Sequence, residues 1–183
     1  MLLGTIIRRA SGRFYGDILG ERVFAPLGME TARVISEADI VPNRAAGYRL
    51  VEGELKNQEW VAPEFNTGAD GALYFTALDL IAWDRGLRAG AILSPESWAQ
   101  VFEPVKLRSG KPYPYGFGWN VLEFADQKVQ RHGGSWQGFK ADLVRYLGDE
   151  LTIAVLANLA EAEPGRISDG IAGILNPKLA RPE

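Results

Sequence analysis

The chain has 183 residues, 46% apolar and 23% charged, so it can bury a core and is not a disordered polymer. A formal net charge of -3 leaves no basic surplus to displace counterions from phosphates, which argues against a nucleic-acid partner. Zero cysteines exclude a disulfide frame, a thiolate metal site and a cysteine nucleophile, and a single histidine argues against an imidazole-based metal site.

No metal or other cofactor is expected, and no stretch approaches the roughly 18 apolar residues of a membrane span. Met1-Leu2-Leu3 lacks the basic lead-in of a signal peptide, and the compartment stays open. At this length the chain reads as one domain, or as one large piece of a bigger one.

Leu2, Leu3, Ile6, Ile7 and Ala10 recur at helical spacing, and Ser11-Gly12 closes the segment. No capping residue precedes it, so the helix reads as one entered partway, and an upstream portion is expected. A second helical segment is predicted from about Phe14 to Phe24, stopped by Pro26-Leu27-Gly28. Strands are predicted at Ala46 to Val51 and Gln58 to Ala62, joined by Glu52-Gly53-Glu54. Thr76-Ala77-Leu78-Asp79 opens a helix with a capping box, carried by Leu78 and Ile81 to Gly90. Asp84 reads as part of its solvated face. Ser94-Pro95-Glu96 starts another helix, which Pro104 ends.

From Tyr115 the period becomes two, and strands are predicted at 115–124, 128–131, 139–147 and 151–159. The glycine–aromatic alternation Tyr115-Gly116-Phe117-Gly118-Trp119 reads as a strand with one crowded face. Gly148-Asp149 turns between the last two strands. A helix from Pro164 to Leu175 closes the chain, with Ile167, Ile171, Ile174 and Leu175 as the stripe expected to pack on the sheet. The result is an α+β fold: residues 1–112 mostly helical or irregular, 113–183 an antiparallel sheet with a C-terminal helix.

The segment Arg131-His132-Gly133-Gly134-Ser135-Trp136-Gln137-Gly138-Phe139 concentrates the chemistry. It joins the only histidine to a Gly-Gly pair, a hydroxyl and an indole before an alternating apolar run. Glycines permit close ligand approach, so a cleft edge is one reading and a plain hairpin entry with a solvated histidine the other. A nucleophile elbow is missed by one residue and lacks the strand-to-helix turn, which disfavours Ser135 as nucleophile. There is no P-loop, no Gly-x-Gly-x-x-Gly and no His-Glu-x-x-His.

Several words, in this order and spacing, resemble the serine β-lactamase and penicillin-binding-protein-like superfamily, above all its class C and esterase-type branch. They are Leu2-Leu3-Gly4 through Ser11-Gly12, Phe24-Ala25-Pro26-Leu27-Gly28-Met29, Asn43-Arg44-Ala45-Ala46-Gly47-Tyr48 and Ala69-Asp70-Gly71-Ala72-Leu73. Thr76-Ala77-Leu78-Asp79-Leu80, Tyr115-Gly116-Phe117-Gly118-Trp119 and His132-Gly133-Gly134-Ser135 complete the set. The resemblance implies acyl transfer and part of a β-lactamase-like fold. It puts His132-Gly133-Gly134 at the third motif on a cleft-edge strand, His132 on a substrate carboxylate or the proton network. The backbone N–H of Ser135 would be one of two oxyanion donors. Gly133, Gly134 and Trp136 would contact the substrate.

The same resemblance calls for Ser-x-x-Lys and Tyr-x-Asn, and neither occurs in the chain. The expectation is therefore the C-terminal portion of a serine hydrolase acting on a small β-lactam, ester or peptide-like substrate, inactive alone. Self-association or a complementing N-terminal segment is expected. The rivals are a non-catalytic ligand- or partner-binding module and one chain of a split enzyme.

Overall fold

A computed structural model describes residues 2–34, 39–59 and 68–181. They form two compact units. The first is Met1–Ile92 with Ser135–Phe139 and Asn158–Glu161; the second is Leu93–Gly134, Lys140–Ala157 and Ala162–Glu183. The mixture of helices and antiparallel strands is α+β, as the sequence predicts.

The first unit opens on α1 (Leu2–Ser11), which buries none of its residues. Next come α2 (Tyr15–Leu19), a π turn (Gly20–Phe24) and α3 (Ala25–Leu27). The predicted second helix thus runs past Phe24 to Leu27, where Gly28, in the left-handed conformation at φ +68°, ends it. Tyr15 and Phe24 are its buried anchors, and the Tyr15 hydroxyl donates to the Gly68 carbonyl at 2.9 Å.

Four short strands follow, β1 (Arg33–Val34), β2 (Tyr48–Val51), β3 (Glu54–Asn57) and β4 (Leu73–Tyr74). β1 pairs with β4 and β2 with β3, both antiparallel. Glu52 and Gly53 both have positive φ, the two-residue hairpin turn that matches strand twist. The second strand of this hairpin therefore starts at Glu54, earlier than the predicted Gln58; Trp60 to Ala62 lie outside the described residues.

α4 (Ala77–Arg88) begins as predicted: Thr76 Oγ1 accepts from the Asp79 N–H, and the Asp79 carboxylate accepts from the Thr76 N–H at 2.8 Å. Its buried face differs from the prediction. Leu80, Asp84 and Gly86 are buried while Leu78 and Ile81 are exposed, and Asp84 pairs with Arg88 at 2.6 Å.

The second unit starts with α5 (Pro95–Val101), capped by Ser94, and the short pair β5 (Val105–Lys106) and β6 (Pro112–Tyr113). Then come β7 (Asn120–Phe124), β8 (Gln127–Trp136), β9 (Phe139–Tyr146) and β10 (Leu151–Ala157), in the sheet order β10-β9-β8-β7. β10 runs antiparallel to β9, as Gly148-Asp149 predicts, with Leu147 to Glu150 as the loop. The Gln127 side-chain oxygen accepts from the Gly148 and Asp149 N–H groups.

α6 (Pro164–Leu175) matches its predicted bounds and packs against β10. Its stripe does not match. The fully buried residues are Ser168 and Ala172, while Ile167, Ile171, Ile174 and Leu175 are exposed, Ile174 by 83%. Small side chains let the helix come close to the sheet, and the large ones point away. Ala172 joins Val129, Val144, Tyr146, Ile153 and Leu179 in the core, with Leu122, Phe124, Leu151 and Val155 packed against it. Each large apolar side chain buried there contributes about 1.5–3 kcal/mol.

Candidate functional site

The chemistry-bearing segment is strand, not strand entry. The β7–β8 register ends at Asn120↔Arg131, yet β8 continues through His132, Gly133, Gly134, Ser135 and Trp136. These residues lie beyond the last β7 partner in the sheet order, so among the described residues β8 leaves an edge here. His132, Gly133, Gly134 and Ser135 are exposed and Trp136 is half-buried.

Arg131 anchors the strand just before the histidine. Its Nε donates to Asp142 at 2.8 Å and one terminal nitrogen to Asp169 at 2.9 Å. The other terminal nitrogen donates to the Gly165 carbonyl at 2.9 Å and to Ser168 Oγ at 3.2 Å. Ser168 Oγ in turn donates to Asp142. Burial opposes the guanidinium charge, but the hydrogen bonds and charges of Asp142 and Asp169 outweigh it and raise its pKa. One side chain thereby ties β8, β9 and α6 together.

His132 makes two hydrogen bonds. Its Nδ1 lies 2.7 Å from the Gly133 carbonyl and its Nε2 lies 2.9 Å from the Tyr115 hydroxyl. The two rings meet edge to face with centroids 5.9 Å apart. Tyr115 comes from the Tyr-Gly-Phe-Gly-Trp word, which is a tight turn and not the predicted strand. Gly118 has φ +80°, and a Cβ at Gly116 would fall 2.2 Å from the Val101 carbonyl oxygen. Neither position tolerates a side chain. Trp119 is buried, and Tyr115 bridges to Asn120.

Glycines in this region divide into two kinds. Gly138 has φ +85°, and a Cβ there would lie 2.8 Å from the Tyr48 nitrogen, so the fold itself requires it. Gly133 and Gly134 have no positive φ, and a Cβ would meet only Ala141, at 3.4 and 3.5 Å, ordinary contact distances. Among the described residues, nothing demands glycine at either position. Leaving them bare keeps the strand surface open.

The end of β8 and the turn after it, Ser135 to Phe139, belong to the first unit. The Trp136 indole stacks on the bare face of Gly71, where a Cβ would sit 3.1 Å from the ring. Sequence reasoning missed Tyr115, Asp142, Asp169 and Ser168 as neighbours of this segment; no local pattern marks them. Among the described residues, no cluster of three or more His, Asp or Glu side chains is placed to hold a metal ion. Among them, no helix is long and apolar enough to cross a membrane.

Comparison with known proteins places this arrangement. The profile of the family described as Beta-lactamase matches residues 1–175. Penicillin-binding protein 4* of Bacillus subtilis is 30% identical over 174 residues, covering 88% of this chain and 38% of that protein. A D-aminopeptidase of Gluconobacter oxydans is 28% identical over 161 residues, covering 86% of this chain and 30% of that protein. The chain therefore spans less than two-fifths of the length of these curated relatives. Among solved structures, the octameric penicillin-binding protein homologue from Pyrococcus abyssi is 28% identical with a TM-score of 0.79, over 95% of this chain and 40% of that one. A profile match over nearly the whole sequence, on a fold shared with penicillin-binding proteins, shows that the chain belongs to the Beta-lactamase family.

Proposed function

We propose that the chain supplies one wall of an acyl-transfer site in a β-lactamase-like serine hydrolase. The observation that carries this reading is the pair Gly133 and Gly134, bare on an exposed strand without any demand from the described residues. In this reading substrate lies along that edge, beside His132. The Ser135 N–H donates to the carbonyl oxygen as charge develops on it, and one such donor is worth about 3 kcal/mol in the transition state.

The attacking group belongs elsewhere. No serine in the chain is followed three residues later by lysine, so residues 1–183 act as a portion of the hydrolase domain. Nucleophile and base come from a complementing segment or a separate chain, and the protein alone forms no acyl-enzyme. The substrate is a small amide, ester or β-lactam; the D-aminopeptidase name of one relative favours a peptide-like one. Incubation with a fluorescent penicillin or a p-nitrophenyl ester, read by intact mass, tests this. A stoichiometric acyl adduct on the 183-residue protein would overturn it.

A second proposal concerns association. The outward stripe of Ile167, Ile171, Ile174 and Leu175 is the exposed apolar face of α6. A contiguous patch of that kind favours burial against other polypeptide, either the complementing segment or a second copy. Light scattering that finds only monomer over a wide concentration range would remove the second copy.

A further inference from the structure

We propose that Tyr115 is a positioning residue that, together with the Gly133 carbonyl, holds His132 in one tautomer and thereby decides which atom the strand edge offers to a ligand. A carbonyl oxygen only accepts, so the 2.7 Å approach of Nδ1 to the Gly133 carbonyl puts the neutral ring's proton on Nδ1. Nε2 then carries a lone pair, and its partner at 2.9 Å is the Tyr115 hydroxyl, which donates to it. Both ring nitrogens are spent inside the chain. Neutral His132 thus has no free N–H for a substrate carboxylate and no free lone pair to act as a base. The polar atom left to face the ligand is the Tyr115 oxygen, with only lone pairs to give. A hydrogen-bond donor, such as an amine or amide N–H, fits that atom better than a carboxylate does.

The turn that carries Tyr115 is built to hold this geometry. Gly116 presses against the Val101 carbonyl, the Gly116 N–H donates to Trp119 O at 2.8 Å, and Trp119 is buried. On the other side, the Arg131 anchor fixes the strand one residue before the imidazole. Tyrosine and histidine therefore meet from two independently secured backbones. The free side chain in water favours the Nε2–H tautomer, so the protein imposes the opposite choice.

This inference deepens the substrate-wall reading and rests on it for its functional meaning, but its test needs no substrate and no turnover. His132 is the only histidine, so 15N-histidine labelling gives a single imidazole spin system. Long-range 1H–15N spectra of the neutral ring should show a pyrrole-type Nδ1 and a pyridine-type Nε2. In Tyr115→Phe the signals should shift towards the Nε2–H form or an average of the two. Should Tyr115→Phe lose its dispersed amide spectrum, Tyr115→Leu takes its place. An Nε2–H tautomer in the unmodified protein, or an unaltered tautomer in the folded variant, overturns the proposal. That result would leave the acyl-transfer reading standing, since the intact-mass experiment decides that separately.

Discussion

Arg131 and His132 are adjacent in β8 and serve opposite faces of it: Arg131 reaches Asp142 and Asp169, while His132 meets Tyr115. Strand alternation turns one covalent step into a division of labour. The even-handed periodicity puts a buried ionic anchor directly behind an exposed imidazole.

Removing the anchor leaves a buried carboxylate unpaired. Arg131→Ala is expected to destabilise the protein by about 3–5 kcal/mol, the usual cost of stripping one partner from a buried pair. Urea denaturation measures it. Asp169, which is more exposed than Asp142 and also lies 3.4 Å from Arg181, should matter less: Asp169→Asn is expected to cost under half as much.

The two kinds of glycine separate by substitution. Gly134→Ala should leave stability within about 1 kcal/mol of the parent, because a methyl there meets only ordinary contacts. Gly138→Ala should destabilise by several-fold more, since φ +85° and the close Tyr48 nitrogen both oppose it. Thermal melts of the pair decide whether Gly134 is bare for the fold or for a ligand.

Asp79 gives stability a predictable pH dependence. Burial raises its pKa, but hydrogen bonds from Thr31 and Thr76 outweigh burial and lower it overall. Its contribution is therefore fully present above the unfolded carboxylate value of about 3.9 and is lost as pH falls through the lower folded value. Asp79→Asn should flatten that acid limb of the stability curve, and Thr76→Ala should cost about 1 kcal/mol at neutral pH. Denaturation midpoints taken below pH 4 and at pH 7 check both.

The apolar faces of α6 are predicted to respond in opposite ways. Ile174→Glu should change monomer stability by no more than about 0.5 kcal/mol and reduce any self-association. Ala172→Leu should destabilise by about 1–3 kcal/mol, because Ala172 is fully buried in the core. Light scattering reads the first and chemical denaturation the second.

The local grammar of the chain determined much of this structure. Thr76 and Asp79 set a helix start, Gly53 and Gly148 marked turns, and period-two runs gave the last two of the four strands of the main sheet nearly in place, because each signal depends on backbone geometry within a few residues. The word His132-Gly133-Gly134 stood out for the same reason: its oddity is local. What tertiary structure alone decided were faces and partners. Hydrophobicity could not say that α6 turns Ser168 and Ala172 inward and its isoleucines outward, since that follows from how closely the helix approaches the sheet. Nor could spacing pair Arg131 with Asp169, 38 residues on, or bring Tyr115 to His132 across 17. Such meetings are fixed by chain topology and by turns such as Gly116, whose close approach to Val101 exists only once the chain has folded.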